Sequence, residues 1–396
     1  MLLKFLSNHF LLISIPSSNP FFSVEEQIVP FLHNMADNEE PNPTDITISA
    51  LSFSKYERWQ WWFLVALCIA FLIVGQSGAV ILGRFYYDQG GNSTWMATLV
   101  QTVAFPLLYV PFFLIPSPPE ASTSSAPPSI KIIVLIYFAL GLLLAANNMM
   151  YSVGLLYLSA STYSLICASQ LAFNAVFSYF INSEKFSAFI INSAVIVTFS
   201  SALLAVNEDS GGPSVVSGSK HIIGVLCTVG ASAVYSLLLC LMQLSFHKVL
   251  KKQTFSVVLE MQIYTSLVAS CACIIGLFAS GEWHTLHGEM SSFGKGGVAY
   301  VMTLVWTAVA WQLTSVAVVG LIFLVSALYS NVISTVALAV TPIAALIVFR
   351  DKMNGVKIIS MLLALWGFSS YIYQNYLDDL KARRIAASKT YNVSTC

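Results

Sequence analysis

Charge is what this sequence has least of. Only 9% of its 396 residues are Asp, Glu, Lys or Arg, and eighteen basic residues balance eighteen acidic ones, so the formal net charge is zero. A chain with no basic excess has no electrostatic footprint for a phosphate backbone, which excludes nucleic acid as a partner. Cysteine supplies no disulfide framework: Cys68, Cys167, Cys227, Cys240, Cys271 and Cys273 fall inside apolar runs, and Cys396 is in the tail. Metal ligands are equally sparse. His284 and His287, with Glu282 and Glu289 nearby, have a weak metal-like spacing in a loop, but no cysteine joins them. Neither a metal nor a cofactor is expected.

Hydrocarbon fills the space that charge leaves. Apolar residues make up 57% of the chain and the mean hydropathy is +0.76, more than the surface of a soluble domain could cover. Runs long enough to cross a bilayer, which takes ~20 apolar residues, lie at 61–83, 95–115, 132–152, 156–180 and 186–206, then at 222–245, 255–280, 297–321, 324–349 and 355–377. The expected fold is an all-α polytopic membrane protein with ten transmembrane helices.

The chain also repeats itself. VGLLYLSASTYS at 153–164 returns as VGLIFLVSALYS at 319–330, and an acid–base pair follows each copy after a further apolar run, Glu184-Lys185 and then Asp351-Lys352. Two five-helix repeats are expected, 58–206 and 221–377, joined by a linker at 207–220 that holds Glu208, Asp209 and Pro213. An odd number of spans inverts the second copy across the membrane. Inverted repeats belong to secondary transporters, in which substrate sits between the halves near the midplane; a static receptor or a membrane enzyme has little use for two mirrored gates.

Basic residues orient the chain. Six of the eighteen (Arg84, Lys220, Lys295, Arg350, Lys352 and Lys357) fall on one side, and the rest share the side of both termini, which predicts a cytosolic tail at 1–57 and another at 378–396. The glycosylation sequon at Asn92 then lies outside. Residues 1–15 read as a weak signal-like run without a small-residue cleavage site. The tail MADNEEPNPTDI at Met35 is the expected beginning, with 1–34 an alternative start.

The spans carry no Lys or Arg away from their ends. A carrier of phosphorylated anions replaces phosphate hydration with intramembrane Lys or Arg, so such substrates are excluded. Amides and aromatics are present instead, and the candidate substrate-binding set is Asn147, Tyr151, Tyr163, Gln170, Asn174, Trp311, Gln312 and Asn331; Gln101 belongs to the same amide inventory. On a continuous helix Tyr163, Gln170 and Asn174 share one stripe, and Asn147 shares a face with Tyr151. Carboxamides donate and accept, and Trp and Tyr faces stack, which suits a flat nitrogen heterocycle such as a purine. Each amide serves equally as glue between membrane helices. Glu260, the one acid within a span, is either a proton-coupling carboxylate or an interfacial acid snorkelling toward Lys251 and Lys252. Pro106, Pro111 and Pro342 are expected to kink their helices.

WTAVAWQLTSVAVVGLIFLVSALYSNVIST at 306–335 and YSLICASQLAFNAVFSYFIN at 163–182 closely resemble the plant purine permease family of the drug/metabolite transporter superfamily. EMQIYTSLVAS at 260–270 and DKMNGVKIISMLLALWGFSSYIYQNYL at 351–377 extend the resemblance, which covers about 58–377. It implies proton-coupled uptake of adenine, cytokinins and related heterocycles by ten helices in two inverted repeats, with no enzymatic activity and most relatives at the plasma membrane. Some similar members carry alkaloids or vitamin precursors. Another neutral or cationic metabolite, or binding without transport, are the alternatives.

Overall fold

A computed structural model describes residues 43–114, 130–182, 188–206, 218–245, 255–324, 327–350 and 354–394. Residues 207–217 of the expected linker at 207–220, Lys251 and Lys252, and residues 1–42 lie outside them. The chain divides into two compact units, residues 62–374 and residues 1–61 with 375–396, and the site belongs to the first.

Every regular element among the described residues is helical, as lipid requires: with no water to satisfy them, backbone donors and acceptors must pair within the segment. The helices are α1 (Pro43–Asp88), α2 (Thr94–Leu99), α3 (Tyr109–Leu114), α4 (Ile130–Tyr157), α5 (Ala160–Cys167), α6 (Gln170–Asn182) and α7 (Ala188–Val206). There follow α8 (Gly218–Ser245), α9 (Phe255–Ala279), α10 (Leu286–Ser292), α11 (Gly297–Leu324), α12 (Ala327–Phe349) and α13 (Gly355–Ser394). Among the described residues six stretches are long and apolar enough to span a bilayer: Trp62–Asp88, Ile130–Tyr157, Ala160–Ile181, Ser219–Ser245, Val257–Ala279 and Gly297–Leu321. Ala188–Leu203, Val336–Phe349 and Gly355–Tyr371 are shorter apolar helices.

The run at 95–115 is not one helix. It is α2, a turn at 100–104, a 3-10 helix at Phe105–Leu108 and then α3. Pro106 causes the break, because a proline donates no hydrogen bond and disfavours helical backbone at the residue before it. Pro342, by contrast, stays inside α12. The run at 156–180 also departs from a single helix. α4 ends at Tyr157, Ser159 caps α5, and a tight turn at Ala168–Ser169 separates α5 from α6. The first copy of the repeated motif covers the end of α4 and the start of α5, and the second covers the end of α11 and the start of α12. Helices α5 and α12, which follow the two junctions, pack against each other.

Large apolar side chains such as Phe113, Phe180, Ile347 and Val74 face outward, while hydroxyls including Ser193, Ser200, Thr228 and Thr265 are buried. That distribution suits a body solvated by lipid. Helix α4 is central and packs against α2, α8 and α9. Gly141 lets α9 approach: a Cβ there would stand 2.6 Å from Val268 Cβ and 2.9 Å from the Thr265 carbonyl. Gly141→Leu is therefore expected to cost about 1–3 kcal/mol by overpacking, seen as a lower melting temperature of the detergent-solubilised protein.

Arg84 fastens α1 to the end of α4. Its side chain is buried, and Nη1 donates to the carbonyls of Leu155 (2.8 Å), Leu156 (3.1 Å) and Leu158 (2.7 Å), while Nη2 pairs with Asp88 at 2.7 Å. The last carbonyls of a helix have no partner within it and carry its negative pole, so a guanidinium fits both needs. Lys357, fully buried, donates to Ser159 Oγ (3.4 Å) and Ser161 Oγ (3.3 Å) at the same junction. Two cations assigned by sequence to outer loops are thus packed inside the protein, where both tie helix ends together.

Candidate heterocycle-binding cavity

Beside the α4–α5 junction lies a cavity with about 420 Å³ of free space, part of it open to the surroundings. Its walls come from α1, α2 and the turn after it, α4, α5 and α11. Three candidates from the sequence meet there: Tyr151, Tyr163 and Trp311. The Tyr151 and Tyr163 rings stand edge to face with centroids 5.9 Å apart, an arrangement that favours aromatic pairs. Aliphatic walls from Val80, Val100, Leu155 and Leu304 complete a lining that is largely apolar with a few polar atoms, as small-molecule sites are.

The polar side of the wall was only partly visible in sequence. It consists of Gln101, Ser152, Thr307 and the phenols of Tyr86 and Tyr87. Gln101 Nε2 donates to the carbonyls of Ala97 (3.2 Å) and Asn148 (3.4 Å) and to Ser152 Oγ (2.9 Å). Tyr87 Oη is buried without a hydrogen-bond partner among the described residues. Gln101 was legible as an amide in an apolar run, but its position beyond the end of α2 depends on the break before Pro106. Ser152 and Thr307 gave no signal, since hydroxyls are common in membrane helices.

The other candidates go elsewhere. Asn147 is 1% exposed, donates Nδ2 to Asn148 Oδ1 at 3.3 Å and does not line the cavity; its own Oδ1 has no partner among the described residues. Gln312 turns away from its neighbour Trp311 and donates to the Thr102 carbonyl at 3.4 Å, with Oε1 unpartnered among the described residues. The expected stripe is broken, because the turn at Ala168–Ser169, closed by bonds such as Ser169 N–H to the Ile166 carbonyl (3.0 Å), resets the helical register. Asn174 Oδ1 accepts from Cys240 Sγ at 3.7 Å, and the Gln170 carbonyl accepts from Ser236 Oγ at 2.8 Å, so both contacts join α6 to α8. Asn331 is on α12, with its side chain outside the described residues. Trp306 faces outward. Glu260 is half-buried on α9, away from the cavity lining, with Tyr137 as an electrostatic neighbour.

The segment between α9 and α11 closes over the ends of α1 and α2. Glu282 accepts from Ser93 Oγ (2.6 Å), Thr94 Oγ1 (3.2 Å) and the Trp95 amide (3.1 Å), and Glu289 Oε2 accepts from Tyr86 Oη (2.8 Å) and Tyr300 Oη (3.4 Å). Both carboxylates near His284 and His287 are thus directed at hydroxyls. Asn92 is exposed in the turn before α2.

A family model described as purine nucleobase transmembrane transport matches residues 63–381. "Probable purine permease 11" of Arabidopsis thaliana is 67% identical over 330 residues, 83% of this chain and 87% of that protein. "Purine permease 21" of the same plant is 51% identical over 354 residues, 87% of this chain and 90% of that protein.

Proposed function

As a member of the plant purine permease family, the chain is a multi-pass membrane transporter of purine nucleobases and not an enzyme, and we propose that it moves them by proton-coupled alternating access between two five-helix inverted repeats. The observation that carries this reading is the cavity, whose aromatic walls come from both halves of the duplicated chain: Tyr151 and Tyr163 from the first, Trp311 from the second. A site between halves changes its access when the halves rock. The position of both motif copies at helix ends, and the packing of α5 on α12, support that reading. The reading of ten spans is supported by the six long apolar helices, the shorter ones and the broken run at 95–115 among the described residues.

Substrate stacks against Tyr151, Tyr163 and Trp311, with Gln101, Ser152 and Thr307 reading its edge, while Asn174 and Gln170 hold α6 to α8. Arg84 is committed to helix carbonyls and Asp88, which leaves the cavity neutral and fits an uncharged base. Cytokinins, as N-substituted adenines, share the stacking face. Glu260 is the proton-coupling group, and the plasma membrane is the site of action. Accumulation of labelled adenine and trans-zeatin in transport-deficient cells tests this, and an uncoupler is expected to abolish it. Uptake that survives the uncoupler would overturn proton coupling, and binding without uptake would make the protein a receptor.

Trp311→Ala is expected to weaken apparent affinity for adenine roughly 5- to 150-fold at normal surface abundance, since a base stacked on an aromatic ring gains about 1–3 kcal/mol. Asn174→Ala is expected to leave affinity unchanged and to lower the melting temperature. Competition curves and a thermal-shift assay separate the two outcomes.

A further inference from the structure

We propose that Gln101 and Thr307 determine which purines the cavity accepts, by presenting two oxygen atoms that can act only as acceptors. The proposal rests on the transport reading above and concerns how the wall reads the edge of the base. Two of the three partners of Gln101 Nε2 are the backbone carbonyls of Ala97 and Asn148, which only accept. The amide orientation is therefore set by its surroundings, because the reverse one would place oxygen against two carbonyl oxygens. Gln101 Oε1 is left without a partner among the described residues, on a half-buried side chain in the cavity wall.

Thr307 reaches the same polarity by another route. Its hydroxyl gives its single proton to the Thr303 carbonyl at 2.7 Å, so any contact of that oxygen with a guest is as an acceptor. Ser152 Oγ accepts from Gln101 Nε2 at 2.9 Å and lies 3.0 Å from Thr98 Oγ1, whose single proton has the Thr94 carbonyl at 2.7 Å, so Ser152 holds the amide in place. Gln101 Oε1 is thus an acceptor for an exocyclic amine, and Thr307 supplies a second acceptor, suited to a ring N–H.

Gln101 reads the amine and Thr307 the ring N–H, so each has its own diagnostic analogue. Adenine, unsubstituted purine (no amine) and 9-methyladenine (no N–H at that nitrogen) are set to compete with labelled adenine in cells expressing wild type, Gln101→Met or Thr307→Val, with surface abundance measured in each. Wild type is expected to prefer adenine to either analogue by roughly 5- to 100-fold. Gln101→Met brings adenine down to the level of purine without changing purine, and Thr307→Val brings it down to 9-methyladenine without changing that analogue. Equal losses for adenine and the diagnostic analogue, or a wild type indifferent to both groups, would overturn the proposal. If Gln101→Met fails to reach the membrane, Thr307→Val, which keeps the side-chain shape, decides the matter. A wild type that accumulates no base at all would overturn the transport reading itself, and this proposal with it.

Discussion

Replacing Arg84 by methionine is expected to remove most of the folded protein from the membrane. The guanidinium satisfies three carbonyls at the end of α4 and pairs with Asp88, in a site that is only 4% exposed. Methionine fills similar volume but leaves those acceptors, and the Asp88 charge, to find other partners. Breaking a buried charged pair by removing one member costs about 3–5 kcal/mol, a large fraction of the roughly 5–15 kcal/mol that holds a domain folded. Arg84→Lys keeps the charge without the fork and is expected to fall between. Surface fluorescence of a tagged protein, together with its melting temperature in detergent, reads the effect; wild-type values for Arg84→Met would show that the helix end needs no cation.

Glu260→Gln is expected to abolish accumulation of adenine against a gradient while sparing exchange of labelled for unlabelled base. Glutamine keeps the size and hydrogen-bonding reach of the side chain but cannot carry a proton. Glu260 neighbours Tyr137, whose ring stacks on Tyr264 with centroids 5.8 Å apart. Intramembrane acids are costly and mark ion pathways. Wild-type uptake driven by protons rises as external pH falls, and the mutant should lose that dependence together with net accumulation. Should Glu260→Gln accumulate adenine as wild type does, with the same response to external pH, Glu260 is an interfacial acid and coupling lies elsewhere.

How much of the site was legible depended on how local its determinants are. Tyr151, Tyr163 and Trp311 stood out because aromatic side chains are bulky amphipathic groups wherever their helix places them. Gln170 and Asn174 were assigned to a stripe with Tyr163 on the premise of an unbroken helix. The turn at Ala168–Ser169 defeats that premise, and no proline or glycine marks it. Gln312 and Trp311 are adjacent, yet only Trp311 reaches the cavity, since neighbours on a helix point ~100° apart and sequence does not say which one faces inward. Glu282 and Glu289 read as loop acids beside His284 and His287, with a weak metal-like spacing. Their partners, Ser93, Thr94, Tyr86 and Tyr300, are reached only when the segment folds back.

By itself the sequence determined the solvent of this protein, its helical class, its duplicated motif and its family. These follow from quantities summed along the chain: the length of apolar runs, the period of the repeat and blocks of shared residues. Tertiary structure decided where the helices stop and what their polar atoms meet. Arg84 and the carbonyls of Leu155, Leu156 and Leu158 are about seventy residues apart, and Gln101 and Ser152 about fifty. In a medium without water each such group must find a partner inside the protein, and which partner it finds is fixed only when distant helices pack.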